Sequence, residues 1–263
     1  MPGQRRTPRR AWLAARPHPG LLALIGFALL AWFLTVQLAA GMPPGPGAMG
    51  LGLSGFLAGW AFMMTAMMLP VLAPLLFVYL RSIRAGRSGA VRAARTAPLL
   101  AGYLLTWTGF GVLAYAAALL GGRLAAEAPA GAPWVGAGLL AAAGIYQLTP
   151  LKNFCLRHCR SPVAFLLHVS GYKGPLRDVR VGLYHGFYCV GCCWGLMLVL
   201  ITVGVMNLAW MAVIAAAVLV EKTWRHGIVF SRAAGAALIA FACFVPAYPW
   251  LLPGLYQAPD MMM

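Results

Sequence analysis

The residues best equipped for chemistry lie in His185-Gly-Phe-Tyr-Cys189-Val-Gly-Cys192-Cys193-Trp194, where one imidazole and three thiols fall within nine positions of an otherwise apolar run. At ~100° per residue on a helix, His185, Cys189 and Cys192 share an arc of about 60°, with Cys193 further round the same side. Gly191 and Gly195 lie roughly opposite, where small residues admit another helix. One face is thus suited to ligands and the other to packing. A single cysteine in such a run would be an ordinary small hydrophobe. Three with a histidine suit a soft metal, Cu(I) first and Zn(II) as the alternative.

Two further stretches carry soft donors. Met63-Met64-Thr-Ala-Met67-Met68-Leu-Pro70 places Met63 over Met67 and Met64 over Met68, one helical turn apart. Thioethers are neutral and bind Cu(I) without losing a proton, although methionine is equally a common apolar filler. Cys155-Leu-Arg-His158-Cys159 sets two thiols at helical spacing with a histidine between them, which suits uptake or exchange of a soft metal. The metal candidates are therefore His185, Cys189, Cys192, Cys193, Cys155, Cys159, His158, Met63, Met64, Met67 and Met68. Glu221, beside Lys222, reads as a local ion pair or loop anchor. No Gly-rich phosphate loop, Ser/His/Asp set or carboxylate pair points to an enzyme. Only His185 lies near the interior of an apolar run, so a haem held between two helices is not expected.

These residues must be positioned by apolar helices. The chain of 263 residues is 62% hydrophobic and only 9% charged, far below the charge of a soluble domain. Seven apolar runs approach the length of a bilayer span: residues 21–40, 54–80, 97–120, 133–150, 181–205, 208–220 and 233–252. The net charge of +16 invites a nucleic-acid partner, but its placement argues otherwise. With seven spans and the N-terminus inside, 19 of the 20 Lys and Arg residues fall in inner segments and only Arg123 outside. That is the positive-inside asymmetry of a membrane protein. The expected architecture is an all-α polytopic transmembrane bundle of about seven spans, N-inside and C-outside. A disordered basic cytoplasmic arm (1–20) precedes the bundle (21–252), and a flexible Met-terminated tail (253–263) follows it. Residues 151–180 form the longest polar connection. Cysteines in spans and inner loops are expected to stay reduced.

Four separated stretches, taken with Met67-Met68-Leu-Pro70, resemble a known family. They are Tyr146-Gln-Leu-Thr-Pro150-Leu-Lys152-Asn-Phe-Cys155-Leu-Arg-His-Cys159-Arg160-Ser-Pro162, Gly186-x-x-Cys189-x-Gly-Cys192-Cys193-Trp194-x-Leu-Met197, Met206-Asn207-x-x-Trp210-Met211 and Glu221-Lys222. The family is a bacterial one of predicted metal-binding integral membrane proteins, a domain of unknown function some of whose members are labelled copper chaperones. The resemblance covers about residues 55–240 and implies a metal-related role in the bacterial inner membrane. The leading expectation is a Cu(I)-binding protein for copper handling, delivery or transport, with the bilayer and a metal donor or acceptor protein as partners. Two rivals stay open. Cys189-Val-Gly-Cys192 has the spacing of a thiol–disulfide oxidoreductase, and a structural membrane subunit would use the sulfurs only for packing.

Overall fold

A chain whose apolar runs must satisfy their own backbone hydrogen bonds in a water-poor setting has helices as its simplest solution. In the computed structural model, residues 19–41, 45–83 and 88–256 are described, and among them there are helices and no strands. The helices are α1 (Pro19–Ala40), α2 (Leu53–Ser82), α3 (Gly89–Glu127), α4 (Ala132–Leu148), α5 (Pro150–Arg160), α6 (Pro162–His168), α7 (Arg177–Val203), α8 (Leu208–Thr223) and α9 (Gly227–Phe244). Of the expected arm (1–20) residues 1–18, and of the expected tail (253–263) residues 257–263, lie outside the described residues; within the rest of that tail, Gly254 N donates to Thr202 O and Leu255 is buried.

Local signals explain several boundaries. The Ser88 hydroxyl caps α3 by accepting from Val91 N, and the Asn207 side chain caps α8 by accepting from Trp210 N. Gly204, at φ 95°, turns the chain between α7 and α8 in the left-handed region that suits glycine. Pro70 and Pro74 lie inside α2, which continues through both to Ser82.

Seven long helices occupy the positions of the seven apolar runs, but fewer meet the requirement for crossing a bilayer unaided. Five (α1, α2, α3, α7 and α9) are long and apolar enough, and a sixth candidate is the bent pair α4 and α5. Helix α8 has 16 residues, about 24 Å at the usual rise against a hydrocarbon core of ~30 Å. The outer surface is nonetheless strongly apolar: Leu113, Phe187 and Val229 are 65%, 69% and 64% exposed. Apolar exposure on this scale suits lipid rather than water.

Helices α2 and α7 are the most enclosed of the long helices, whereas α1, α3 and α9 present most of their surface outward. Helix α7 packs against α3, α4, α5 and α8, and α2 against α1, α3, α6 and α8. The α3–α7 crossing is a backbone-to-backbone contact. A Cβ at Gly102 would overlap the Val179 carbonyl, and one at Gly182 the Leu99 carbonyl, so glycine is what permits the approach. At one end of this crossing Asp178 accepts from the Tyr79 hydroxyl at 2.6 Å and from Arg95 Nε at 3.1 Å, tying α2, α3 and α7 together.

The long polar connection is not a loop. Residues 150–168 form α5 and α6, followed by a short 3-10 turn over Val169–Gly171, and α5 lies against α7. The chain bends there because Thr149 precedes a proline, which disfavours the helical conformation. Thr149 is extended (φ −70°, ψ 150°), and α4 and α5 meet at a bend of 63°.

Candidate metal centre

The bend at Thr149 decides which thiols meet. Its hydroxyl donates to Tyr146 O and accepts from Lys152 N, closing α4 and opening α5 at one residue. Helix α5 then runs beside the cysteine turn of α7. Gly191 supplies the room: a Cβ there would stand 2.9 Å from Cys155 Sγ. The Tyr146 hydroxyl donates to Gly191 O and holds α4 to the same turn.

Four sulfurs converge. Cys189, Cys192 and Cys193 are all buried. Cys192 Sγ lies 3.4 Å from Cys193 Sγ and 3.8 Å from Cys159 Sγ of α5, and it is 3.2 Å from Cys189 O. Cys189 Sγ faces two polar partners from other helices, Lys222 Nζ of α8 at 2.9 Å and the Tyr103 hydroxyl of α3 at 3.0 Å. Lys222 is within electrostatic reach of all four cysteines. An ammonium among buried sulfurs is placed to offset negative charge gathered there. All six cysteines of the chain are free.

Lys222 points to the sulfurs because its neighbour points elsewhere. Successive helical residues diverge by ~100°, and Glu221 turns instead to Lys152 of α5, whose Nζ is 2.8 Å and 3.0 Å from the two carboxylate oxygens. The expected local pairing of Glu221 with Lys222 is therefore replaced by an ion pair between α5 and α8, with both side chains fully buried. Gln147 donates to Glu221 at 3.3 Å and accepts from Lys152 and from Ser231. A buried ion pair is tolerable only when its remaining hydrogen-bonding capacity is met in this way. Arg160 closes the other end of α5, donating to Glu221 O at 2.5 Å and Trp224 O at 2.6 Å. Cys159 is thus held on a helix fixed to α8 at both ends.

The remaining sequence candidates fall in different places. Cys155 is half-buried against Gly191. His185 is buried near Tyr103 and Phe165, with ring centroids 5.9 Å and 4.9 Å away. Its Nδ1 has no hydrogen-bond partner among the described residues. His158 makes its contacts elsewhere: its ring stacks on Tyr188 at 4.3 Å and its Nδ1 meets Phe154 O. Met63, Met64, Met67 and Met68 are all buried, on a helix that shares its neighbours α3 and α8 with α7. Among the described residues, no three or more His, Cys, Asp or Glu side chains are arranged as a ready-made metal cage. What the sequence reading missed is Lys222 and Tyr103. The available signal for Lys222 was a cation at the end of an apolar helix, where ionisable groups are costly and tend to be functional.

A family model named PpoB2 and described as copper chaperone matches residues 57–245. No curated protein and no solved structure matches the chain.

Proposed function

The chain belongs to the PpoB2 family, described as copper chaperone, and from that premise we propose that it is a multi-pass protein of the bacterial inner membrane that binds Cu(I) as cargo on its buried thiols. The observation that carries the reading is the convergence of Cys159 of α5 with Cys189, Cys192 and Cys193 of α7 beside the Lys222 ammonium. Thiolates are the soft donors Cu(I) prefers. Two thiolates and one Cu(I) sum to a single negative charge, which Lys222 balances in an interior where an unpaired charge is costly. Loading by two thiols releases two protons and needs no electron transfer. Cys155 and Cys159, on the less enclosed helix, receive the ion, and Cys192 passes it inward by thiol exchange. His185 and the thioethers of Met63, Met64, Met67 and Met68 are further donors in the same core. The basic ends of the helices face the cytoplasm, and the natural partner is a protein that donates or accepts copper.

The test is copper content by elemental analysis of detergent-purified protein handled anaerobically. Wild type is compared with a variant carrying Cys189→Ser, Cys192→Ser and Cys193→Ser. Near-stoichiometric copper in wild type and its loss in the variant is the expected result. Absence of copper from both overturns the reading.

A further inference from the structure

The methionines are not spread through the bundle. Eight lie among the described residues, and six of these are in helices: Met63, Met64, Met67 and Met68 of α2, Met197 of α7 and Met211 of α8, each at most 1% exposed. Helices α1, α3, α4, α5, α6 and α9 carry none. Methionine serving only as apolar filler would be as useful on a lipid-facing helix as in the interior. Here it is kept to α2 and α7, the most enclosed long helices, and to α8, which touches both.

The remaining two stand at one end of these helices. Met206 is in the turn between α7 and α8, and its Cε lies 3.2 Å from where a Cβ at Gly59 of α2 would be. Met49 precedes α2 and packs half-buried against the core. Its φ is 57°, and no other non-glycine residue among the described residues has a positive φ. A bulky side chain seldom takes that conformation.

Helical rise sets the order of the sulfurs along the bundle. Tyr79 of α2 meets Asp178 of α7 at one end and Gly59 of α2 meets Met206 at the other, so α2 and α7 run antiparallel over about 30 Å. Measured from the Asp178 end, Cys189 to Cys193 lie about 17–22 Å along α7, Met68 to Met63 about 17–24 Å along α2 and Met197 about 28 Å along α7. Met197 is one turn beyond Cys193 on the same face. On α8, Met211 shares the face of Lys222 and stands about 17 Å nearer the Met206 end. Sulfur thus continues beyond the thiols to that end. Pro70 adds an oxygen: having no N–H, it leaves Ala66 O without its helical donor, and Ala66 is fully buried. Freed backbone carbonyls are what transporter helices offer to cations.

We propose that these thioethers form a passage for Cu(I) from the thiol cluster to the Met206 end of the bundle, so that the protein conducts the ion across the membrane besides holding it. The passage rests on the Cu(I) reading of the thiols. Cu(I) leaves two thiolates for neutral thioethers, which bind it without losing a proton. The two thiols recover two protons, and no electron moves. Donors that hold the ion less firmly than thiolates suit conduction, where binding must be weak enough for the ion to leave. Met206 and Met49, both half-buried, form the exit.

The test uses full-length protein in liposomes that enclose a membrane-impermeant chromophoric Cu(I) chelator, with Cu(I) supplied outside under anaerobic conditions and bound copper measured separately in detergent. The variants are Met197→Leu, Met206→Leu and Met211→Leu together, and Met197→Leu alone as the milder change; swaps that conserve volume are well tolerated. Wild type is expected to bind copper and to fill the trap faster than protein-free liposomes. The triple variant binds as much copper but fills the trap roughly tenfold more slowly, and Met197→Leu roughly threefold. Thermal unfolding checks that each variant is folded, and Met197→Leu alone decides if the triple variant is not. Bound copper with no transfer above protein-free liposomes, or transfer by the folded variants at the wild-type rate, overturns the passage and leaves the thiol site standing. Wild type without bound copper overturns the thiol reading and the passage with it.

Discussion

Replacing Lys222 by methionine isolates the contribution of charge balance to copper binding. The side chain is buried beside the cysteines, and its ammonium stands 2.9 Å from Cys189 Sγ. Methionine keeps most of the volume and removes the cation. A hydrogen bond to a charged group contributes about 1.5–3 kcal/mol, and each 1.4 kcal/mol is tenfold in affinity. Cu(I) should therefore bind Lys222→Met roughly ten- to a hundredfold more weakly than wild type. Fold stability should be kept, because an apolar replacement relieves the cost of a buried charge and Cys189 still has the Tyr103 hydroxyl at 3.0 Å. The assay is anaerobic competition against a chromophoric Cu(I) chelator, with thermal unfolding measured in parallel. A folded Lys222→Met protein that competes for Cu(I) as well as wild type would refute the charge-balance argument.

Two further outcomes follow from the surrounding geometry. Glu221→Gln leaves Lys152 as an uncompensated charge in a fully buried position, which should cost about 3–5 kcal/mol and lower the unfolding temperature in detergent; an unchanged unfolding temperature contradicts the buried pair. His158 stacks on Tyr188 whereas Cys159 lies 3.8 Å from Cys192. Cys159→Ser should therefore weaken Cu(I) competition and His158→Ala should leave it unchanged, and the reverse pattern would place the ligand face on the other side of α5.

The sequence by itself determined the local structure and the chemical character of the protein. Apolar runs of bilayer length became helices because each can satisfy its own backbone, and the 3.6-residue repeat put Cys189, Cys192 and His185 on one side of α7 whatever its neighbours. Pro150 ends the fourth apolar run, and the residue before a proline resists the helical conformation. Tertiary structure decided which side chains meet. Cys159 reaches Cys192 because the chain bends at Thr149, α5 packs against α7 and Gly191 leaves room beside Cys155. His158, one residue from Cys159 and so ~100° round α5, stacks on Tyr188 instead. Glu221 and Lys222 are adjacent in the chain, yet one binds Lys152 and the other the cysteines. Helical spacing sets the angle between neighbours on one helix, but the rotation of each helix about its axis is set by non-local packing such as the Gly102–Gly182 crossing. That rotation is why a lysine at the end of an apolar run became part of the thiol cluster.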